Sequence, residues 1–234
     1  MSQRNMLTRI RRANRRKALH KFSGIASRNP VLVEGLLLAP VVVATTSLKN
    51  AVALSITLAV VTLPTIVLAA MIKTKLPHWL RVPIYAVAAS LLLIPAAMLV
   101  TPIAPTIFDS MGMYFSLMIF NSVLFTRSER YAVKVDPPQA LLDGACYCFG
   151  FFIASVPIAA LREFLGSNTI WGFPVAIPFK ISAIMLPFAG FMLVGMFAAG
   201  SRYCRTLILK IKAKRRRVKT PVIALYPSSE GGAS

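Results

Sequence analysis

Three stretches of the chain, 51–70, 82–100 and 181–199, run without a single charged residue. A run of about 18 or more apolar residues is long enough to cross a hydrocarbon core of about 30 Å as a helix. No water is present there, so the backbone must satisfy its own hydrogen bonds, and a helix does so. Extended along the whole chain, this pattern predicts six membrane segments at about 31–48, 50–72, 82–100, 112–126, 139–162 and 177–200. The connections are short. The expected organisation is one membrane domain, 29–200, between a tail at 1–28 and a tail at 201–234 whose last residues, from Pro227 on, are expected to be disordered.

The segments are not uniform. The first carries Pro40 near its middle, which removes a backbone donor and is expected to break or kink the helix. The fourth carries Asn121 and Ser122 at depth. Each half of the chain, 31–110 and 111–200, reads as one short interrupted span followed by two longer ones. Three spans per half is an odd number, so the second half must run inverted relative to the first. The predicted fold is therefore an all-α integral membrane protein: six transmembrane helices in two inverted three-helix repeats, with the first and fourth helices interrupted. Inverted repeats with broken helices at matching positions point to a site near the midplane, at the repeat interface.

Composition reinforces this class. Hydrophobic residues make up 56% of the 234 positions, above the usual 45–50% or so of soluble domains. Charge then fixes an orientation. The net charge is +20, from 27 Lys and Arg against 7 Asp and Glu. On a soluble chain this excess would suggest nucleic acid. Here 18 of the 27 basic residues lie in residues 1–30 and 201–234, and nucleic acid is not an expected partner. Basic loops stay on the cytoplasmic side. With the N-terminus inside, only Lys49, Arg162 and Lys180 remain outside. Both termini are then cytoplasmic, in a multi-pass membrane protein. The tails are expected to contact anionic lipid, and residues 1–21 to form a basic amphipathic helix on the membrane surface. Docking of a soluble partner is the alternative use of the same charge.

Candidate chemistry is sparse. Cys146, Cys148 and Cys204 have neither zinc-site spacing nor a disulfide framework. The N-terminus does not read as a cleavable secretory signal. There is no phosphate-binding glycine loop, no nucleophile–base pair and no cofactor fingerprint, so no catalytic residue is expected.

Five stretches, in order, carry a family resemblance. They are NPVLVEGLLLAP (29–40), RVPIYAVAAS (81–90), FNSVLFTRSERYA (120–132), ALLDG (140–144) and LREFLG (161–166). Together they resemble the RnfA/RnfE and NqrD/NqrE family over about 29–200, and the cytoplasmic N-terminus fits the RnfE/NqrD member. The resemblance implies a membrane subunit of an ion-translocating electron-transport complex, a translocase. Two such subunits pair in opposite orientations. Cysteines from their broken first and fourth helices hold one iron–sulfur cluster at the midplane, which relays electrons to flavins.

The chain departs from that pattern at the ligand positions. Where the family has cysteines, this sequence has Ala39 and Ser122. Thiolate is the usual ligand for iron in such clusters, and alanine offers no ligand atom. No cofactor is therefore expected to be bound by this chain alone, although the family carries an iron–sulfur cluster. Cys146 and Cys148 are about 200° apart around a helix and read as small packing residues. Ala39 and Ser122 read foremost as small residues that allow close helix approach.

The remaining polar residues have competing readings. Asn121 can satisfy backbone groups freed at a helix break, a reading preferred here to ion coordination. Glu34, Asp143, Arg162 and Glu163 lie near expected interfaces, where snorkelling or capping is weighed slightly above an ion path. Glu34 and Asp143 are the better ion candidates, because Glu163 can pair locally with Arg162. His78 reads as interfacial. The family retention of Arg127, Glu129, Asp143, Arg162 and Glu163 points to an assembly surface or to fold maintenance. Two functions stand. One is a membrane subunit of an Rnf/Nqr-like complex, paired with an inverted homologue and other subunits, that does not supply its own cluster ligands. The other is a divergent paralogue without the electron relay, acting as a transporter, channel or scaffold. The coupling ion, sodium or proton, is left open.

Overall fold

A computed structural model describes residues 29–72, 76–175 and 180–218. The expected surface helix at 1–21, the first tail, the side chain of His78 and the polar end of the chain lie outside them. The described chain is mostly helical. It runs through α1 (Leu38–Ala44), α2 (Leu48–Ile72), α3 (His78–Val100), α4 (Ile107–Met111) and α5 (Met113–Ser116). A 3-10 turn at Leu117–Phe120 leads to α6 (Ser122–Arg130), and another at Ala132–Lys134 leads to α7 (Pro137–Ser167). Two short strands, β1 (Thr169–Ile170) and β2 (Phe173–Pro174), precede a 3-10 turn at Ser182–Met185 and α8 (Pro187–Val218). The chain divides into a unit at 1–198 and a unit at 199–234.

Among the described residues, three helices are long and apolar enough to cross a membrane: Leu48–Ile72, Trp79–Val100 and Pro137–Ser167. They coincide with the second, third and fifth expected segments. In α2 the hydroxyls of Ser55, Thr57 and Thr65 donate to the carbonyls of Ala51, Ala53 and Val61, so their polarity is absorbed inside the helix. α2 then packs along α7. The Ser55 and Ser155 hydroxyl oxygens lie 3.3 Å apart. At Gly144 a Cβ would come within 3.0 Å of Ile66 and 3.1 Å of Leu63, so the two helices meet there with no room for a side chain. In lipid, where the hydrophobic effect does not drive helices together, such close packing does. Around this seam Leu54, Leu58, Tyr147, Cys148, Phe151 and Ile158 form the main core. α3 buries Tyr85, Ala89, Ala96 and Val100 and leaves Val87, Leu91, Ile94 and Met98 on its outer face.

The first and fourth segments are broken, but the first is not broken where its proline suggested. Pro40 lies in the first turn of α1, where a missing N–H costs nothing. The irregular stretch is residues 30–37, which contains Gly35 at φ +67 and Leu37 at φ +61. Both are left-handed conformations, which end regular structure and which a leucine rarely adopts. Asn29 anchors this stretch. Its amide donates to the Gly150 carbonyl at 2.7 Å, and its Oδ1 accepts from the backbone of Val31 and Leu32. Gly150 is about 20 Å along α7 from Pro137 at about 1.5 Å per residue, so the irregular stretch sits beside the middle of the helix.

The sixth segment also differs from its expected bounds. Its helix begins at Pro187 rather than near 177, and continues to Val218. The start falls at Pro187, a residue suited to the first helical position, and the carbonyls of Ile184, Met185 and Leu186 just before it accept from Arg162. The late end follows from helix-favouring Lys, Arg and Leu beyond Gly200.

Candidate functional site

α7 carries a buried polar cluster near each end. The first is built on Asp143 and Tyr147, four residues apart and so on one face of the helix. Arg127, from α6, donates through Nε at 2.8 Å and Nη2 at 2.5 Å to Asp143 Oδ2. Both side chains are buried. The same guanidinium lies 4.1 Å from the Tyr147 ring centre and 5.2 Å from that of Tyr131. Burial, with the Asp143 charge added to it, pushes the Tyr131 phenol above its ordinary range, against the opposing pull of Arg127. The Tyr147 hydroxyl then donates to Glu34 Oε1 at 3.0 Å. Glu34 belongs to the irregular stretch beside the middle of α7 and is half-buried. The structure thus brings Glu34 and Asp143 to the two sides of Tyr147. Asp143 is neutralised by a cation, whereas the bonded partner of Glu34 is a neutral phenol.

The second cluster is built on Arg162 and Glu163. Arg162 is wholly buried and spends all five of its N–H groups on oxygens. Nη1 donates to the Val42 carbonyl at 2.6 Å and to the Thr45 hydroxyl at 2.8 Å. Nε reaches the Ile184 carbonyl, and Nη2 those of Met185 and Leu186. Every one of these acceptors is neutral. Gly190 makes room for the group: a Cβ there would lie 2.8 Å from Val42 and 3.1 Å from Arg162 Nη1. Glu163 faces elsewhere. Its Oε2 accepts from the backbone N–H of Leu48 at 2.5 Å, at the first residue of α2. Its Oε1 accepts from Gly172 N and from the Thr169 hydroxyl.

The expected local pairing of Arg162 with Glu163 is therefore not what forms. Consecutive helix positions point about 100° apart, and each side chain meets a different set of partners. Snorkelling does not describe Asp143, Arg162 or Glu163 either, since each is at most 4% exposed. Capping does describe Glu163, because a carboxylate at a helix N-terminus meets unpaired N–H groups and the positive end of the dipole.

Asn121 occupies the break in the fourth segment. Its Oδ1 accepts from Leu124 N at 2.6 Å, its amide donates to the Met118 carbonyl at 2.8 Å, and Thr62 lies 3.4 Å away. Its polar atoms are thus turned to the backbone on both sides of the break and to α2. Glu129 lies beside Tyr85. Ala39 and Ser122 are both exposed on the described surface. Neither a methyl group nor a hydroxyl is the thiolate that an iron–sulfur cluster takes, so these two positions do not fit that group. Among the described residues, no three His, Cys, Asp or Glu side chains converge as a metal site. Cys148 is packed in the core and Cys204 is exposed.

Three participants are absent from the expectations: Tyr147, Asn29 and the Leu48 backbone. Tyr147 was legible as the polar aromatic one turn beyond Asp143. Asn29 and Leu48 act through contacts distant in sequence, which no local pattern reports.

Comparison with known proteins gives the family. The family described as "Rnf-Nqr subunit, membrane protein" matches residues 19–198. The E subunit of the ion-translocating oxidoreductase complex of Shewanella oneidensis is 26% identical over 222 residues, covering 88% of this chain and 92% of that protein. The corresponding protein of Vibrio vulnificus is 29% identical over 149 residues, covering 64% of this chain and 65% of its own length. That of Haemophilus ducreyi is 28% identical over 150 residues, covering 64% and 66%.

Proposed function

We propose that this chain, which belongs to the Rnf-Nqr family of membrane subunits, lines part of the cation path of an ion-translocating oxidoreductase complex without supplying thiolates to an iron–sulfur cluster. Its place as a multi-pass membrane subunit of an Rnf/Nqr-like complex follows from the family and from relatives named as the E subunit of such a complex. The path is our reading of the geometry. One observation carries it: the Tyr147 phenol bonds Glu34 on one side and stacks against Arg127, which holds Asp143, on the other. Ionisable groups at membrane depth are costly and are kept for a use. Glu34 is the loading group in this reading, since no cation is bonded to it among the described residues. Asp143, fixed by Arg127, sets the local potential.

The six-span, inverted-repeat architecture belongs to the same proposal. It is supported by the break at 30–37 before α1 and the break at Asn121 before α6, each followed by longer helices. The partner would be an inverted homologous subunit covering the exposed positions Ala39 and Ser122. The orientation, with both tails in the cytoplasm of a bacterial or archaeal cell and against anionic lipid, rests on the distribution of Lys and Arg. The exposed Tyr203, Leu207, Ile208 and Ile211 of the last helix, set among basic residues, suit such a surface.

The test is the E34Q variant in the intact complex, reconstituted into vesicles. Uptake of sodium or protons per electron transferred should fall severalfold. Unchanged coupling would sink the path. A second reading, a paralogue that has lost the relay, is favoured by the loss of both family ligand positions together, at Ala39 and Ser122. Purification of the chain at native expression separates the two. Redox subunits in the preparation support the first, and a homo-oligomer free of them supports the second.

A further inference from the structure

β1 and β2 form a two-residue hairpin that begins where α7 ends. Thr169 pairs with Pro174, and Ile170 with Phe173. The turn is made by Trp171 at φ +57 and Gly172 at φ +81. Two successive positive φ angles define the tight hairpin turn that normally begins with Asn, Asp or Gly. A tryptophan is a poor choice for the backbone there. Its use is in the side chain: Ile170, Trp171 and Phe173 are 41%, 37% and 72% exposed.

The tip is also held in place. Glu163, itself 4% exposed, accepts from Gly172 N at 2.9 Å and from the Thr169 hydroxyl at 3.2 Å, while its other oxygen caps α2. Lys49 lies over Gly172, where an added Cβ would be 3.1 Å from its Nζ. The Asn168 carbonyl accepts from Val175 N at 2.8 Å and closes the base. A rigid, latched backbone thus presents an isoleucine, a tryptophan and a phenylalanine beside an ammonium group.

We propose that this hairpin is an anchor in the membrane–water interface at the Ser167 end of α7, with the three apolar side chains in the glycerol and upper acyl layer and Lys49 toward lipid phosphate. Three arguments select lipid as the occupant. The hairpin starts two residues after a membrane-crossing helix ends at Ser167, which puts its tip near headgroup depth. Tryptophan beside lysine is the chemistry of that layer, apolar on one side and wet and anionic on the other. And the surface is small. Three side chains of about 150–250 Å² each, partly covered, fall well short of the ~800 Å² per partner of a stable protein interface. The anchor is independent of the cation path and would stand if that path failed.

The chain holds two tryptophans, Trp79 and Trp171, so the W79F variant leaves Trp171 as sole reporter. Trp79 is an exposed residue, and its replacement by phenylalanine is conservative. The full-length W79F chain, separated from any accompanying subunit so that Trp171 is the only tryptophan in the sample, is reconstituted in phosphatidylcholine brominated either near the headgroup or near the bilayer centre. Trp171 emission should be quenched at least twofold more by the shallow bromine than by the deep one, and weakly by aqueous acrylamide. Strong acrylamide quenching with no response to brominated lipid would place the tip in water and overturn the anchor. Silence to both quenchers would place it under a protein partner and overturn it equally. The reciprocal W171N variant, which keeps the turn, confirms through Trp79 that the fold survives.

Discussion

Arg162 and Glu163 are adjacent on α7 and share no bond. The guanidinium grips the end of α1 and the lead-in to α8, through the carbonyls of Val42 and residues 184–186. The carboxylate grips the start of α2 and the turn at Gly172. Two consecutive residues therefore tie four separate parts of the chain to one helix end.

Replacing Arg162 should be severe. R162A leaves several buried carbonyls without donors, at about 1–3 kcal/mol each, and a total near 3–5 kcal/mol is expected after relaxation. R162K restores the charge but has three donors for five acceptors, and should recover about half. Thermal unfolding of the detergent-solubilised protein reads both. An R162A midpoint equal to wild type would show that the five bonds contribute nothing.

E163Q tests the latch more gently. The amide keeps the shape but retains one acceptor oxygen, so either the α2 cap or the Gly172 bond is lost. The expected cost is about 0.5–2 kcal/mol, the range of a lost helix cap. Hydrogen exchange should accelerate at Leu48 or Gly172, and not at the middle of α2. Uniform acceleration across the domain would instead mean general destabilisation.

The Arg127–Asp143 pair should behave as a buried pair. D143N or R127Q alone leaves an uncompensated buried charge or donor and is expected to cost about 3–5 kcal/mol. The double variant R127Q/D143N should cost less than the sum of the singles. Strict additivity in the cycle would mean that the two groups do not interact.

Y147F separates stability from conduction. It deletes one hydrogen bond to Glu34, a cost of about 1 kcal/mol, and leaves the ring under Arg127 intact. Coupled ion uptake should drop while the unfolding midpoint barely moves. A fall in stability with normal uptake would assign Tyr147 to the fold alone.

The legible and illegible parts of this protein divide along physical lines. α2, α3 and α7 were readable because an uncharged run of that length has one stable form in lipid. Pro40 marked the first segment as irregular but misplaced the irregularity. A proline is harmless in a first turn, and the positive φ angles at Gly35 and Leu37 depend on tertiary support that no residue type announces. The ionisable residues were each visible as anomalies. Their partnerships were not, since Arg162 bonds carbonyls and any residue has one. The hairpin escaped for a related reason: Trp171–Gly172 lacks the usual turn dipeptide, and Glu163 supplies what the sequence of the turn does not.

The missing side chain at Gly190 has a consequence for the order in which the protein is made. α8 is synthesised after the rest of the membrane domain, and until residues 184–186 emerge Arg162 lacks the acceptors for three of its five N–H groups. A chain stalled or cut before that point would leave this guanidinium only partly bonded. Docking of Gly190 against Val42 and the guanidinium closes that opening. The last helix to arrive thus completes the bonding of a side chain that was made before it.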